Sequence, residues 1–472
     1  MSSPSRLLKR FFSVESMIRP SQRIGEPLPP TREVYRRQFQ LTWPCAIESV
    51  LVSLIGSIDT MMVGGIGPAA IAAVGITNQP KFILLAMIFS LNAGVTAIVA
   101  RRRGQQNQEG ANGCLRQSLI LSVTIALIMS SIGILFARPI LIFSGAEADT
   151  IDDAVGYFQI LMISIVFMAI SLTINAAQRG AGNTKISMKT NIVANIFNVI
   201  FNYFLINGIW LFPELGVRGA AWATVIGNIV GCGMSIASLC HKSNFLDIYS
   251  RASWKFDRKT LSSLFSISGS AMVEQVFMRI GFFTYAKIVA SLGTIAFATH
   301  QICMNIINIS FSFGDGLSVA ASSLVGQSLG AKRPDLAIIY GKTGQRMAFV
   351  VSTGLVFFFI LGREMLMALF TEDAEVIALG SLIILIIACT THFQTAGVVF
   401  SGCLRGAGDT RFVALVSFIS IAIIRPLLSW VLCFPVGWGL VGAWIGLWAD
   451  QAMRMTLNMI RFKNGRWTKI EL

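Results

Sequence analysis

One acidic residue inside a long apolar run, Asp59, is the strongest candidate for chemistry in this sequence. It follows Thr42 by 17 residues, which is about 25 Å along a helix. An ionisable side chain in such a segment is costly to bury and is a functional candidate by default. A buried carboxylate that alternates between holding a proton or Na⁺ and being vacant meets the minimum requirement of ion-coupled transport. The alternative is a polar contact that only orders the packing of the helices.

Four asparagines, Asn191, Asn195, Asn198 and Asn202, follow one another at spacings of four, three and four residues. That spacing places all four side chains on one face of a helix. Amides facing lipid are expensive, so this face must contact protein or a watery cavity. The alternative to a functional role is hydrogen bonding between helices, worth only ~0.6 kcal/mol per pair. We expect a functional role for Asn198 and Asn202, and both alternatives stay open for Asn191 and Asn195.

Two glutamates, Glu48 and Glu274, lie about one to two turns inside the first and seventh apolar runs. They are candidates for recognition of the charge of a substrate. A snorkelling or cleft-mouth carboxylate paired with a nearby arginine is an equally open alternative. Arg425 is a cation inside another apolar run, and we expect it to pair with an acid or with helix carbonyls. No role is assigned to Asp315 or Asp450.

The segments that hold these residues are too apolar for a soluble protein. Of the 472 residues, 54% are hydrophobic and 13% are charged, whereas a soluble domain has about 25% charged residues. Apolar stretches of about 20 residues, long enough to cross a bilayer, recur along almost the whole chain. This composition excludes an ordinary cytosolic enzyme, a disordered chain and a nucleic-acid-binding domain, despite the net charge of +15.

The pattern predicts an all-α, polytopic membrane protein with twelve transmembrane helices. The predicted helices lie near residues 41–63, 70–100, 114–137, 155–178, 188–209 and 217–240, and then near 262–290, 294–326, 342–361, 375–403, 412–432 and 437–460. If the N-terminus is cytoplasmic, the tails and alternate connections hold most of the 38 basic residues, and the opposite connections hold only Arg138, Arg218 and Arg363. This asymmetry predicts that both termini face the cytoplasm. The surplus charge then faces lipid headgroups, and no nucleic-acid partner is expected.

The chain contains an internal repeat. Shifted by 226 residues, the two halves align without a gap from the first predicted helix to the fourth connection, where RGAGNT (179–184) meets RGAGDT (405–410). After a three-residue slip, Gly216 meets Gly439. Six helices per half is an even number, so the repeats are parallel and related by a pseudo-two-fold axis along the membrane normal. The predicted segments are a basic N-terminal tail (1–40), an N-lobe (41–240), a cytoplasmic linker (241–261), a C-lobe (262–460) and a C-terminal tail (461–472).

Cysteine and histidine residues do not indicate a cofactor site. The eight cysteines form no CxxC pair and mostly lie in apolar segments, where cysteine behaves as a small hydrophobe. The three histidines are widely spaced. We therefore expect no disulfide framework, no cofactor, and no metal site beyond Na⁺ at a coupling site.

Several strings in this sequence resemble the multidrug and toxic compound extrusion (MATE) family, over roughly residues 40–460. They are IDTMMVG (58–64), AAVG (72–75), ATHQ (298–301), VGQSLGA (325–331) and the two RGAG strings. The resemblance implies two six-helix lobes around a cleft. It also implies export of amphipathic, often cationic, compounds driven by inward Na⁺ or H⁺.

In the archaeal and DinF-like branch of that family, an Asp on the first helix, an Asn and an Asp on the fifth and a Thr on the sixth form a cation site. The matching positions are Asp59, Asn198, Asn202 and Thr224. The sequence departs from the branch at Asn202, where an Asp is common. One carboxylate among neutral oxygens suits a monovalent cation or a single proton, and the choice between H⁺ and Na⁺ stays open. The repeat places Tyr285, Ile424, Leu428 and Leu447 at the corresponding positions of the second half, which favours coupling in the N-lobe.

Other family positions match less well. NorM-like and eukaryotic members carry a coupling Glu on the seventh helix about a turn beyond Glu274, and Gln394 lies where NorM-like proteins have an Asp that lines the cleft. Glu48, Glu274, Asn195 and Gln394 are retained as possible cleft or substrate residues. The RGAG strings are expected to form tight cytoplasmic turns with Arg179 and Arg405 at the headgroup level.

The expected function is that of a multi-pass antiporter in the plasma or inner membrane, monomeric, exporting amphipathic or cationic small molecules by alternating access. The alternative within the same superfamily is a flippase for lipid-linked oligosaccharides or other lipids, which should have a cationic cleft. A membrane-embedded enzyme would need a catalytic motif such as HExxH, or GxSxG on a turn from a strand to a helix. The sequence contains no HExxH, and its GxSxG match, GQSLG (326–330), follows a predicted helix rather than a strand. The duplicated halves argue against a channel.

Overall fold

The computed structural model describes residues 11–24, 26–146, 150–209, 212–241, 244–250 and 254–470. Among these residues the regular secondary structure is helical and includes no strand, in agreement with the predicted all-α class. Parts of the predicted tails and linker, residues 1–10, 242–243, 251–253 and 471–472, lie outside the described residues. The predicted lobe boundaries therefore stay predictions.

Thirteen α-helices follow one another in the described chain. They are α1 (Thr31–Gly64), α2 (Pro68–Gly104), α3 (Gln108–Leu135), α4 (Ala137–Phe143), α5 (Ile151–Gly180), α6 (Thr184–Asn207), α7 (Gly216–Leu239), α8 (Arg258–Ala290), α9 (Thr294–Gly330), α10 (Pro334–Ala368), α11 (Ala374–Gly406), α12 (Thr410–Cys433) and α13 (Gly439–Asn464). In the part of the chain that the structure describes, nine of these helices are long and apolar enough to cross a membrane. Only α4 is short, so twelve long helices remain.

Some helices begin well before the apolar run that predicted them. α1 begins at Thr31 rather than near residue 41, and α10 begins at Pro334 rather than near residue 342. An apolar run marks the lipid-facing part of a helix, whereas the helix itself starts where its first turn is satisfied. Pro334 occupies the first turn of α10, where the missing N–H of proline costs no hydrogen bond.

The chain divides into two compact units. We call residues Ile47–Ser268 the N-terminal unit, and the described residues up to Ala46 together with those from Gly269 onwards the C-terminal unit. In the N-terminal unit, α5 packs against α2, α3 and α7. In the C-terminal unit, α11 packs against α9, α10 and α13. Because α5 and α11 are counterparts in the internal repeat, equivalent helices lie at the centre of the two halves.

Glycines at equivalent positions let these central helices approach their neighbours. A Cβ atom on Gly180 of α5 would collide with the carbonyl oxygen of Thr96. A Cβ atom on Gly406 of α11 would collide with the carbonyl oxygen of Ser322. Gly180 and Gly406 are 226 positions apart, and so are Thr96 and Ser322. The repeat therefore preserves the close contact as well as the sequence.

The repeat also extends to the backbone conformation of the turns. Gln106 and Lys332, 226 positions apart, have φ angles of 56° and 57°. Gly182 and Gly408, in the two RGAG strings, have φ angles of 88° and 91°. Glycine reaches this region without a steric penalty. The RGAG strings therefore form tight turns, as predicted.

One irregularity in α12 was not predicted. Residues Phe418–Ile424 form a π-helical segment that leads directly into Arg425 and Pro426. Proline lacks an N–H donor and its ring crowds the carbonyl four residues earlier. A π-helical turn is wider and is frequent at functional sites, so it accommodates Pro426 and changes the direction in which Arg425 points.

Candidate functional site

The structure brings the four predicted coupling residues into one cluster of the N-terminal unit. Asn202 on α6 donates through Nδ2 to Oδ1 of Asp59 on α1 over 2.6 Å. Asn198 lies one turn earlier on α6. One of the two possible orientations of its side-chain amide gives both the nitrogen and the oxygen a hydrogen-bond partner. In that orientation its Nδ2 lies 2.8 and 3.2 Å from the two Asp59 oxygens, and its oxygen accepts from the Thr224 hydroxyl and amide at 3.2 Å.

Helix geometry explains why these side chains meet. Asn198 and Asn202 are four residues apart, so both point from the same face of α6. Thr224 lies on α7, one turn before Gly227. A Cβ atom on Gly227 would lie 2.8 Å from the carbonyl oxygen of Ala194 and 3.1 Å from Cβ of Asn198. The missing side chain therefore lets α7 pack closely against α6 beside the cluster.

One hydrogen-bond acceptor of the cluster, the side-chain oxygen of Asn202, has no donor in the described chain. Asn202 is 1% exposed, and its Oδ1 has no hydrogen-bond partner among the described residues. Asp59 is half-buried and receives only neutral amide donors in this cluster. A buried unpaired oxygen beside a carboxylate is unfavourable, and hard cations bind such oxygens. The residues present therefore fit a proton on Asp59 or a monovalent cation between the oxygens.

Lys81 is a part of this environment to which the sequence reasoning assigned no role. It lies on α2, close enough for electrostatic attraction between its ammonium group and Asp59. Within the described ranges, no ion pair shorter than 4.0 Å joins the two side chains. The ammonium lies 5.4 Å from the centroid of the Phe82 ring. A lysine in the middle of an apolar run was the available signal, but sequence could not show which acid it approaches.

Glu48 lies in a second polar cluster of the N-terminal unit. Its Oε1 accepts from Arg179 Nη1 at 3.2 Å, from the Ser187 hydroxyl at 3.0 Å and from Asn191 Nδ2 at 2.5 Å. Asn191, for which the sequence left two alternatives, therefore bonds a carboxylate on another helix. Arg179 belongs to the first RGAG turn, so this turn is tied to α1 by an ion pair.

Glu274 forms the equivalent cluster in the C-terminal unit. Its Oε1 accepts from Arg405 Nη2 at 2.5 Å and from the Ser417 hydroxyl at 3.0 Å. The glutamates, the arginines and the third partners (Asn191 and Ser417) are each 226 positions apart. Both glutamates thus contact an arginine, which was one of the two alternatives. Their role toward a substrate stays a prediction.

The two remaining predicted residues lie apart from the hydrogen bonds around Asp59. Asn195 is half-buried on α6. Gln394 on α11 is fully buried, and neither of its amide atoms has a partner among the described residues.

Arg425 pairs with an acid, as expected. Its Nη2 and Nε donate to Oδ2 of Asp450 on α13 over 2.5 and 3.0 Å. No short-range sequence pattern indicated Asp450.

A protein-family model described as MatE matches residues 44–204 and again residues 270–431. The two matches begin 226 positions apart, the shift of the internal repeat. The chain belongs to the MatE family. The resemblance seen in the sequence is thereby confirmed, and this MatE protein is a multi-pass membrane protein.

Relatives of this MatE protein carry names that refer to drug resistance. It is 29% identical over 439 residues to the "Probable multidrug resistance protein NorM" of Thermotoga maritima, covering 93% of this chain and 94% of the relative. It is 26% identical over 417 residues to the "Multidrug resistance protein PmpM" of Pseudomonas aeruginosa, covering 87% of this chain and 84% of the relative.

The fold of this MatE protein is also that of solved structures. A structure titled "Outward-facing conformation of a multidrug resistance MATE family transporter of the MOP superfamily" matches with a TM-score of 0.86 and 20% identity, over 92% of this chain and 97% of that one. Such transporters have twelve transmembrane helices in two lobes. The predicted fold class is therefore confirmed.

Proposed function

We propose that this protein exports amphipathic or cationic small molecules in exchange for H⁺ or Na⁺ entering the cell. The observation that carries the proposal is the Asp59 cluster, in which a half-buried carboxylate adjoins the unpartnered oxygen of Asn202. Membership of the MatE family and the names of the relatives support the substrate class.

The proposed coupling step is a change in the charge of one cluster. With no cation bound, the groups of the described chain that offset the charge of the Asp59 carboxylate are the two amides and the more distant Lys81. H⁺ or Na⁺ neutralises the carboxylate, and Na⁺ also uses the oxygen of Asn202. Because both asparagines lie on α6 and Asp59 lies on α1, occupancy changes how these helices pack. The bound and vacant states thereby favour different conformations, which is what alternating access requires.

We also propose where the protein acts and with which partners. The protein acts as a transporter rather than an enzyme, in the plasma or inner membrane with both termini in the cytoplasm, and works as a monomer without an organic cofactor or nucleic acid. Its partners are the lipid bilayer, the small-molecule substrate and the coupling ion.

The test is efflux of a fluorescent organic cation from proteoliposomes, with Na⁺ and pH gradients imposed separately. Wild type should show efflux under one gradient, which names the coupling ion, and Asp59→Asn should abolish it. Asp152→Asn is a matched control, since Asp152 is 79% exposed and pairs with the exposed Arg138. Folded wild-type protein that shows no efflux under either gradient, or an Asp59→Asn variant that transports normally, would overturn the proposal. The first result would favour the lipid flippase.

A further inference from the structure

The C-terminal unit contains an ion pair that the proposed coupling step does not use. Arg425 on α12 donates from Nε and Nη2 to Oδ2 of Asp450 on α13 over 3.0 and 2.5 Å. The side chains are 1% and 0% exposed. A carboxylate buried this deeply needs a cation, because an unpaired buried charge costs several kcal/mol. Here the cation is the guanidinium group of Arg425, which belongs to the same chain.

Polar and aromatic side chains surround this pair, and we refer to these side chains together as the chamber. The Arg425 guanidinium lies 5.6 Å from the Tyr285 ring. His300 packs against Tyr285 and Trp444, with ring centroids 5.4 and 5.6 Å apart. Buried polar atoms of the chamber that have no partner among the described residues are Asp450 Oδ1, Tyr285 Oη, His300 Nδ1 and Trp444 Nε1. Of these atoms Asp450 Oδ1 and Tyr285 Oη can accept or coordinate a small cation, whereas Trp444 Nε1 can only donate.

The chamber occupies the repeat counterpart of the Asp59 cluster. Tyr285 is the residue 226 positions after Asp59, and Arg425 directly follows the counterpart of Asn198. Asp450 corresponds, with the three-residue slip, to Gly227, which in the N-terminal unit packs against Asn198. The four positions equivalent to the Asp59 cluster, Tyr285, Ile424, Leu428 and Leu447, do not repeat its carboxylate and amides. A different polar group stands beside them, built from neighbouring helix positions.

Local backbone structure holds Arg425 in this chamber. The π-helical segment of α12 ends immediately before it, and Pro426 follows. A Cβ atom on Gly281 of α8 would collide with the carbonyl oxygen of Ile421 in that segment. α8 therefore lies directly against the widened turn. Phe282 of α8 also lies beneath the guanidinium, with its ring centroid 4.9 Å away.

We propose that Arg425 is a tethered cation that permanently occupies a second, latent monovalent-cation site around Asp450. This rests on the proposed function, since it limits the transport cycle to one exchangeable cation, held at Asp59. Removing the guanidinium should open the Asp450 site to Na⁺ or H⁺, with Tyr285 Oη as an additional oxygen. Arg454 is another cation near Asp450, and it donates to Gln451 at 2.5 Å.

The experiment measures binding of radiolabelled Na⁺, and separately proton uptake, by the full chain in nanodiscs. Wild type should bind one cation per chain and Asp59→Asn none. Asp59→Asn/Arg425→Gln should regain one cation, and adding Asp450→Asn should remove it again. Asp59→Asn/Arg425→Lys, which keeps a tethered charge, is the matched control and should bind none.

The two proposals fail in different ways. Undiminished binding by Asp59→Asn would overturn the proposed coupling site. Absence of regained binding in folded Asp59→Asn/Arg425→Gln, or regained binding that survives Asp450→Asn, would overturn the latent site. Wild type is informative even if the Arg425→Gln variants do not fold, because two exchangeable cations per chain would contradict a permanently occupied second site.

Discussion

Asn202 donates one hydrogen bond of 2.6 Å to Asp59 and leaves its own buried oxygen without a partner in the described chain. In this orientation the amide nitrogen of Asn202 donates to the carboxylate, and the amide oxygen is left to bind another group. In the resembled branch an acid is common at this position. An amide keeps the oxygen but not the charge, so the cluster has one formal negative charge from Asp59.

Asn202→Ala should weaken Na⁺ binding by about 10- to 100-fold, because it removes the spare oxygen, a ligand whose contact with a charged group is worth about 1.5–3 kcal/mol. H⁺ binding should not weaken, because the lost amide donor stabilises the charged carboxylate. Binding to purified protein, measured against pH and Na⁺ concentration, checks this. Asn207→Ala is the matched control, because Asn207 is exposed near the end of the same helix and donates to the Tyr203 carbonyl of its own helix. Equal affinity of the two variants would contradict a role for Asn202.

Lys81→Gln should strengthen cation binding at Asp59. A unit charge several ångströms away contributes on the order of 1–2 kcal/mol at an effective dielectric constant of ~20, and removing a repelling cation should therefore raise affinity by about tenfold. Na⁺ titration of the variant measures the change, with exposed Lys259→Gln as the control. Weaker binding would instead show that Lys81 positions the carboxylate.

Arg405→Gln should destabilise the C-terminal unit by roughly 3 kcal/mol, because it leaves Glu274 buried without its cation. Glu274 is 5% exposed and Arg405 35%. The double variant Arg405→Gln/Glu274→Gln should recover most of this loss, since no unpaired charge remains. Denaturant unfolding in detergent measures the cycle. Arg138→Gln, which breaks an exposed pair with Asp152, should cost at most ~1 kcal/mol. No recovery in the double variant would contradict the pairing argument.

Asp257 should make stability depend on pH at the start of α8. The Thr260 hydroxyl and amide hydrogen-bond its carboxylate at 2.7 and 3.0 Å, which lowers the pKa of Asp257 below its usual value. A lowered folded-state pKa stabilises the fold above the unfolded pKa, and this contribution is lost as pH falls through the folded one. Melting temperatures of wild type and Asp257→Asn should therefore differ at pH 7 and converge as the pH falls through the lowered pKa of Asp257. A constant difference would exclude the titration, and exposed Asp153→Asn serves as the control.

The sequence was sufficient for the architecture. Apolar runs predicted the long helices because a bilayer-crossing helix needs a long apolar surface, and that requirement is local in the chain. The repeat predicted which positions correspond, and the paired φ angles of Gln106 and Lys332 follow it. The asparagine stripe placed Asn198 and Asn202 on one face of α6 by helical periodicity alone. Family matching added Thr224.

The tertiary structure decided which charges meet. Lys81 and Asp59 lie on different helices, as do Arg425 and Asp450, and no spacing rule links residues whose distance depends on helix packing and rotation. The π-helical turn before Arg425 changes that rotation. The repeat keeps its glycines but not its polar residues, so the positions equivalent to the Asp59 cluster did not point to Arg425 and Asp450. The sequence by itself therefore determined the helices, the duplication and the candidate acid. Only packing showed that Asp59 is hydrogen-bonded by neutral amides with Lys81 farther away, and that Asp450 is paired directly with Arg425.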